Sequence, residues 1–283
     1  MTEFNTLVSA AELARHPEWR VVDCRHDLSQ PALGAQRYAQ GHLPGAVHAH
    51  LDDDLSGPKT GGNGRHPLPA RTAFVAWLQK NGITGDDQVV AYDDAGGAYA
   101  ARLWWLLRSV GHTRVAVLDG GLDAWKATGG ALTQDLPRHA ASTFKPQGTD
   151  ASPTVDVHDV LRNLQARESL VLDARGASRY AGVGETIDPV GGHIPGAANR
   201  PYMDNLGADG RFKPADALRA EFEAVLGAWQ PQQVIAQCGS GVTACHNLLA
   251  LQVAGLTGAR LYPGSWSEWC SDPARPVARG EVA

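Results

Sequence analysis

Cysteine is scarce in this chain: four in 283 residues, Cys24, Cys238, Cys245 and Cys270. No two are spaced as C-x-x-C, so a dithiol redox motif or a zinc knuckle has no support. Four in a chain of this length do not make a disulfide framework, and in a reducing compartment such thiols are buried. Long apolar runs are also missing. None approaches the ~20 residues that span a bilayer, and the opening "MTEFNTLVSAAELARHPEW" lacks a charged-then-apolar leader. The expectation is a cytoplasmic protein with no membrane partner. Blocks of Lys and Arg are missing too, and the net charge is -5, which argues against a nucleic-acid partner. What is there is the composition of a globular protein, 43% hydrophobic and 19% charged. The length suits two cores rather than one.

The chain repeats itself. "VVDCRHD" from Val21 resembles "VLDARGA" from Val171, and "GHLPGAVH" from Gly41 resembles "GHIPGAAN" from Gly192. "VVAYDDAGGAYAARLWWLL" from Val89 resembles "VIAQCGSGVTACHNLLALQ" from Val234, and "VAVLDGGLDAW" from Val115 resembles "ARLYPGSWSEW" from Ala259. Four matched segments in one order make a duplicated domain, with a period too long for a solenoid. The expected domains are residues 1–140 and 150–283. The stretch from Thr133 to Thr154, rich in Pro, Ser, Thr and Gly, reads as a linker.

Short apolar runs alternate with helical patterns in each half. "WRVVDC", "QVVAYDD" and "RVAVLDGG" read as strands, "RTAFVAWLQKNGI" and "AARLWWLLRSV" as helices. Continuous apolar runs suit parallel strands covered on both faces. The fold class is therefore α/β, each half a small, mostly parallel sheet flanked by helices. Ligands of such sheets bind at the carboxyl ends of strands.

Cys238 stands at such an end. "VIAQ" is the expected strand, and a helix is expected from Thr243 or Ala244. The intervening Gly239, Ser240, Gly241, Val242 and Thr243 can aim several backbone N–H groups inward at a helix N-terminus, an anion nest. Donors so placed favour the thiolate, which is the attacking species, and could hold a charged adduct on its sulfur. The alternative is a buried cysteine in an ordinary glycine-rich turn. The first repeat has Asp93 where Cys238 stands. The scaffold thus does not require a cysteine there, and the first half is expected to be catalytically silent.

The tandem repeat, the "DxR" and "GH[IL]PGA" segments, "CGSGVTA" and "GSWSEW" together resemble the two-domain rhodanese family over nearly the whole chain. "CGSGVT" is similar to the loop of its 3-mercaptopyruvate sulfurtransferases. Members that use thiosulfate usually have Arg and Lys after the cysteine, where this chain has Gly239 and Ser240. The resemblance implies a Cys238 persulfide that takes sulfur from a small-molecule donor and passes it to cyanide or a thiol acceptor, a small thiol or a thioredoxin-like protein. The loop from Gly239 to Thr243 would stabilise it, with no metal or organic cofactor. Thiosulfate is the alternative donor, and a persulfide relay or interaction module without small-donor turnover is a further one.

The resemblance also offers Arg179 as a fork for the donor carboxylate, and Ser240, His66 and Asp52 as a proton relay. A second arginine is expected before "GHIPG", yet Tyr180 to Gly192 contains no Arg or Lys. Arg200 is the candidate replacement. Arg175 is expected to pair with Asp173 or to cap the fold, His42 and His193 to be turn or packing elements, and Trp269 to be core. Trp266 is a candidate pocket wall, and Cys245 a packed thiol rather than a resolving one. A cysteine phosphatase would need Arg six residues after the cysteine, where Ala244 stands. "CGSGV" is not the G-x-S-x-G of a serine hydrolase.

Overall fold

In a computed structural model, which describes residues 3–147 and 153–280, the apolar runs become the central strands of two parallel sheets. The chain divides into two units. The first is Met1–Gly57, Leu68–Ala151 and Ala208–Arg211; the second is Pro58–Pro67, Ser152–Gly207 and Phe212–Ala283.

The first unit carries β1 (Leu7–Val8), β2 (Arg20–Asp23), β3 (Val47–His48), β4 (Val89–Tyr92) and β5 (Val115–Leu118), all parallel in the order β1-β5-β4-β2-β3. Its helices are α1 (Ala10–Leu13), α2 (Ala32–Gln40), α3 (Arg71–Lys80), α4 (Ala100–Ser109) and α5 (Gly121–Ala127). Every residue of β4 and β5 is buried, which is why these runs show no polar alternation. Val90, Tyr92, Leu118 and Leu122 form part of one core cluster.

The second unit carries β6 (Leu170–Asp173), β7 (Ala198–Asn199), β8 (Val234–Gln237) and β9 (Arg260–Leu261), parallel in the order β7-β6-β8-β9. Its α-helices are α6 (Val157–Ala166), α7 (Ala177–Ala181), α8 (Ala215–Leu226), α9 (Thr243–Val253) and α10 (Ser265–Trp269). Thr154 adds a single parallel bridge to Leu261, in the place that β1 takes beside β5. The two sheets therefore share one strand order, and the registers match: Val22 lies opposite Ala91 as Leu172 lies opposite Ala236. None of the described helices is long and apolar enough to cross a membrane.

The repeated polar motifs are structural. The Arg25 guanidinium grips the Asp23 carboxylate through Nε and Nη2 and donates to Gly41 O; Arg175 does the same with Asp173 and Gly192 O. Each fork ties the end of a central strand to the "GH-PG" turn. His42 and His193 stack on Tyr38 and Tyr180 at 3.9 and 3.8 Å, and their Nδ1 atoms bond the same tyrosines' carbonyls.

Three segments depart from the sequence division, the shortest being Ala208–Arg211, which groups with the first unit. The expected linker is packed on the first unit as far as it is described. Phe144 is buried, Ser142 N–H donates to Gln79 O, and Gln147 N–H donates to Val110 O. Its residues 148–152 lie outside the described residues. The second departure is Pro58–Pro67, which belongs to the second unit although the first repeat surrounds it in sequence. Arg65 N–H donates to Ser267 Oγ at 2.9 Å. Gly64, at φ +85°, passes so close to Gly264 that an added Cβ would lie 2.7 Å from its carbonyl oxygen. These contacts lie far apart in sequence, so local composition carries no sign of them.

Candidate active site

β8 ends at Gln237, Cys238 follows at once, and α9 begins at Thr243. Gly241 sits at φ +75°, where a Cβ would lie 2.3 Å from Pro263 O. This turn therefore needs glycine twice over, for its backbone angle and for its close approach. Gly241→Ala is expected to cost about 3 kcal/mol, read as a lowered melting temperature. Val242 holds the N-cap position of α9 and offers no side-chain acceptor, so the helix presents its first N–H groups toward the loop.

The first repeat makes plain what such a turn does. Asp93, at the position of Cys238, is buried, and its carboxylate accepts the N–H groups of Ala95, Gly97, Tyr99 and Ala100 at 2.8–2.9 Å. Burial still outweighs these donors and holds its carboxyl above the ordinary range. The strand–turn–helix is thus an anion cradle. In the first unit a fixed carboxylate fills it; in the second, a thiol stands at its head.

The cysteine loop is fastened from below by α10. Trp266 N–H donates to Cys238 O and Ser267 N–H to Gly239 O, while Cys238 N–H donates to Ser265 Oγ at 3.1 Å. Ser265 adopts φ +54°, the left-handed region. The matching residue of the first repeat is Gly121, at φ +55°. A serine kept at a position where the repeat uses glycine bears backbone strain, and its hydroxyl holds the cysteine backbone.

Ser240 and His66, named from the sequence, come together: Nδ1 of His66 lies 2.7 Å from Ser240 Oγ, and both residues are buried. Arg179, on α7, also reaches the loop. A Cβ built on Gly239 would lie 3.5 Å from Arg179 Nη1 and 3.1 Å from Arg65 Nη2. Arg65 was not singled out from the sequence; its one signal is its place beside His66 in "GRHPLP". The two guanidiniums share Asp188, Arg65 Nη1 at 2.6 Å from Oδ1 and Arg179 Nη2 at 2.8 Å from Oδ2. Arg179 Nε also donates to Glu185 at 2.9 Å. Burial opposes ionisation of Glu185, yet that bond and the N–H groups of Ile187 and Asp188 hold its carboxyl below the ordinary range.

Other expectations need correction or stay separate. Arg200 is not available as the missing donor-binding charge. It is buried, pairs with Glu221, bonds Asn205 Oδ1 and Asp204 O, and lies over the Phe222 ring. Its guanidinium is used inside the fold. Trp266 is not a pocket wall: it is fully buried, donates to Val190 O, and carries Arg175 over its ring at 4.6 Å. Trp269 is fully buried as expected. Asp52 belongs to the first unit, where its carboxylate lies 3.9 Å from His26 Nε2. His26, His50 and Asp52 bring ligand-type atoms within 4.8 Å of one another, but His50 already meets Asp53 through Nδ1 and Pro31 O through Nε2.

None of the four cysteines is in a disulfide, and all are buried. Cys245 is packed, its thiol donating to Gly241 O. Burial pushes the Cys24 thiol well above its usual range and Cys270 up to about 11. Neither is suited to attack at neutral pH.

Known proteins bear on this arrangement. The rhodanese-like domain model matches residues 6–128 and 156–272. A protein named probable 3-mercaptopyruvate sulfurtransferase, from Pseudomonas aeruginosa, is 48% identical over 280 residues, covering 97% of this chain and 98% of that one. The thiosulfate sulfurtransferase of Mus musculus is 35% identical, covering 94% and 90%. The solved structure of a 3-mercaptopyruvate sulfotransferase from Escherichia coli superposes with a TM-score of 0.80 at 31% identity, covering 93% of this chain and 99% of that one. With two repeats of one parallel sheet and a cysteine at the head of the second cradle, the chain belongs to the rhodanese-like family and is a sulfurtransferase of its two-domain form.

Proposed function

We propose that the protein moves a sulfane sulfur from 3-mercaptopyruvate to a thiophilic acceptor through a persulfide on Cys238. The Cys238 thiolate attacks the donor sulfur and an S–S bond forms. The donor C–S bond breaks, and its electron pair leaves on the pyruvate enolate, which takes up a proton. The donor thiol loses its own proton, so Cys238 carries an ionised persulfide whose negative charge suits the cradle. An acceptor thiolate or cyanide then takes the outer sulfur and returns the Cys238 thiolate.

The Ser240–His66 bond at 2.7 Å carries the choice of donor. A mercaptopyruvate turnover must remove one proton from sulfur and deliver one to carbon, which is work for an imidazole–hydroxyl pair beside the cysteine. Thiosulfate transfers a sulfur that bears no proton and releases sulfite, so such a pair would have nothing to do. Asp52 is the acid that the family resemblance offers for the same relay, and Asp52→Asn tests it. The proposed acceptor is a small thiol or a thioredoxin-like protein. Four cysteines outside any disulfide suit a reducing compartment, in keeping with the cytoplasm.

Paired kinetics with cyanide as acceptor test the donor. The expected result is a kcat/KM for mercaptopyruvate well above that for thiosulfate. The opposite order would favour thiosulfate, the donor named for the mouse relative. Turnover of neither, with sulfur appearing on Cys238 after mixing with a persulfidated protein, would make the chain a relay module.

A further inference from the structure

The first unit, whose cradle is filled by Asp93, gathers a second set of reactive side chains at the carboxyl ends of its strands. We propose that His26, His50 and Asp52 form a binding site for a divalent transition-metal ion of the zinc class.

The sheet brings the three residues together. β2 and β3 are parallel neighbours, with Asp23 opposite His48, and the ladder runs on past them, Ala49 N–H donating to Asp23 O at 2.9 Å. His26 follows the last residue of β2 by three positions and His50 follows that of β3 by two. Both leave the sheet at its carboxyl edge, where α/β folds bind ligands. The turn after His50 is pinned: Asp54 accepts His50 N–H at 2.8 Å and returns its own N–H to His50 O at 2.9 Å. Asp52, on that turn, comes within 3.9 Å of His26 Nε2. One ligand atom from each of the three residues lies within 4.8 Å of the other two.

The two histidines are prepared for a ligand in different ways. His26 is only 3% exposed, yet its Nδ1 has no hydrogen-bond partner among the described residues, and Asp52 lies beyond hydrogen-bond reach of its Nε2. A buried imidazole with such unmet nitrogens is costly unless something binds it. Its ring is held edge-on between His50 at 5.4 Å and Tyr99 at 5.3 Å. His50 is oriented as a ligating histidine is: Nε2 donates to Pro31 O at 3.1 Å, which fixes the proton there and leaves the lone pair on Nδ1. Asp53 N–H meets that lone pair only at 3.4 Å, a long bond that an ion would replace. The exposed Asp53 carboxylate, also 3.4 Å from Nδ1, can supply a further oxygen.

The donor set selects the ion. Two imidazoles and a carboxylate suit zinc and its neighbours in the first transition series, not the all-oxygen sites of calcium or magnesium. With metal–nitrogen bonds of about 2.0–2.1 Å, two imidazoles on one ion hold their ring centres about 5 Å apart; here the centres are 5.4 Å apart. His50 and Asp52 are only partly buried, so side-chain rotation can close the remaining gaps.

Cobalt(II), a visible-absorbing stand-in for zinc, is titrated into untagged full-length protein, both wild type and Cys238→Ser. The serine variant removes the thiolate that would compete for the ion. The expected result is one Co²⁺ per chain in both, displaced by Zn²⁺, with ligand-field bands and no sulfur-to-cobalt charge-transfer band. His50→Ala should weaken binding by roughly a hundredfold, at least the loss that follows removal of a partner supporting a ligand. His26→Phe, which keeps a ring against Tyr99, should do the same, and His50→Ala carries the test if His26→Phe does not fold. Absence of stoichiometric binding would overturn the proposal, as would binding lost in Cys238→Ser. Undiminished binding by the histidine variants would mean an adventitious ion only and overturn it equally. Asp52 is also the acid offered for the relay, so the test reads binding rather than turnover, and its outcome stands apart from the choice of sulfur donor.

Discussion

Cys238→Ser is expected to remove sulfur transfer to less than about a thousandth of wild type while leaving the fold intact. The hydroxyl fits where the thiol stood, and Cys238 enters the packing through its backbone, with its N–H on Ser265 and its carbonyl on Trp266. What is lost is the atom that forms the S–S bond. Intact-mass measurement after donor treatment should find one added sulfur on wild type and none on the variant, with matching thermal melts. Residual turnover near wild type would mean that another thiol carries the sulfur. The raised Cys24 and Cys270 thiols and the engagement of the Cys245 thiol with Gly241 O argue against each of them.

The second large effect is on the proton pair. His66→Asn and Ser240→Ala should each lower kcat with mercaptopyruvate by about 10²–10⁴ if, as proposed, the pair handles the protons that must move when the C–S bond breaks. Turnover of thiosulfate by the same variants should change far less, since no proton rides on its sulfur. Equal losses with both donors would assign His66 and Ser240 to holding the loop rather than moving protons. The double variant should lose little beyond the worse single one if the two act as a unit.

Much of this was legible in the sequence because it is local. The strand "VIAQ" and the helix after it fall where the apolar run and the glycines place them. The Asp-x-Arg forks form within three residues, and the cradle is one turn long. The repeat revealed which cysteine needs a chemical explanation, because the scaffold accepts Asp93 at the same place. The contents of the presumed linker were less legible: a single apolar residue, Phe144, is enough to pack it onto the first unit, and one residue makes no periodic pattern.

The sequence by itself determined the fold class, the duplication and Cys238 as the candidate nucleophile, which follow from apolar period, from backbone geometry at glycines and from residue chemistry, all of which act over a few positions. Ser240, His66 and Arg179 became candidates through the family resemblance. Tertiary structure alone decided which charges meet at the cysteine. Arg200 looked available and is consumed by Glu221. Arg65 looked like an ordinary loop cation, yet it shares Asp188 with Arg179, more than a hundred residues along the chain. A guanidinium is long and flexible, and its partner is set by where packing brings a carboxylate, here through a segment of the first repeat that folds with the second.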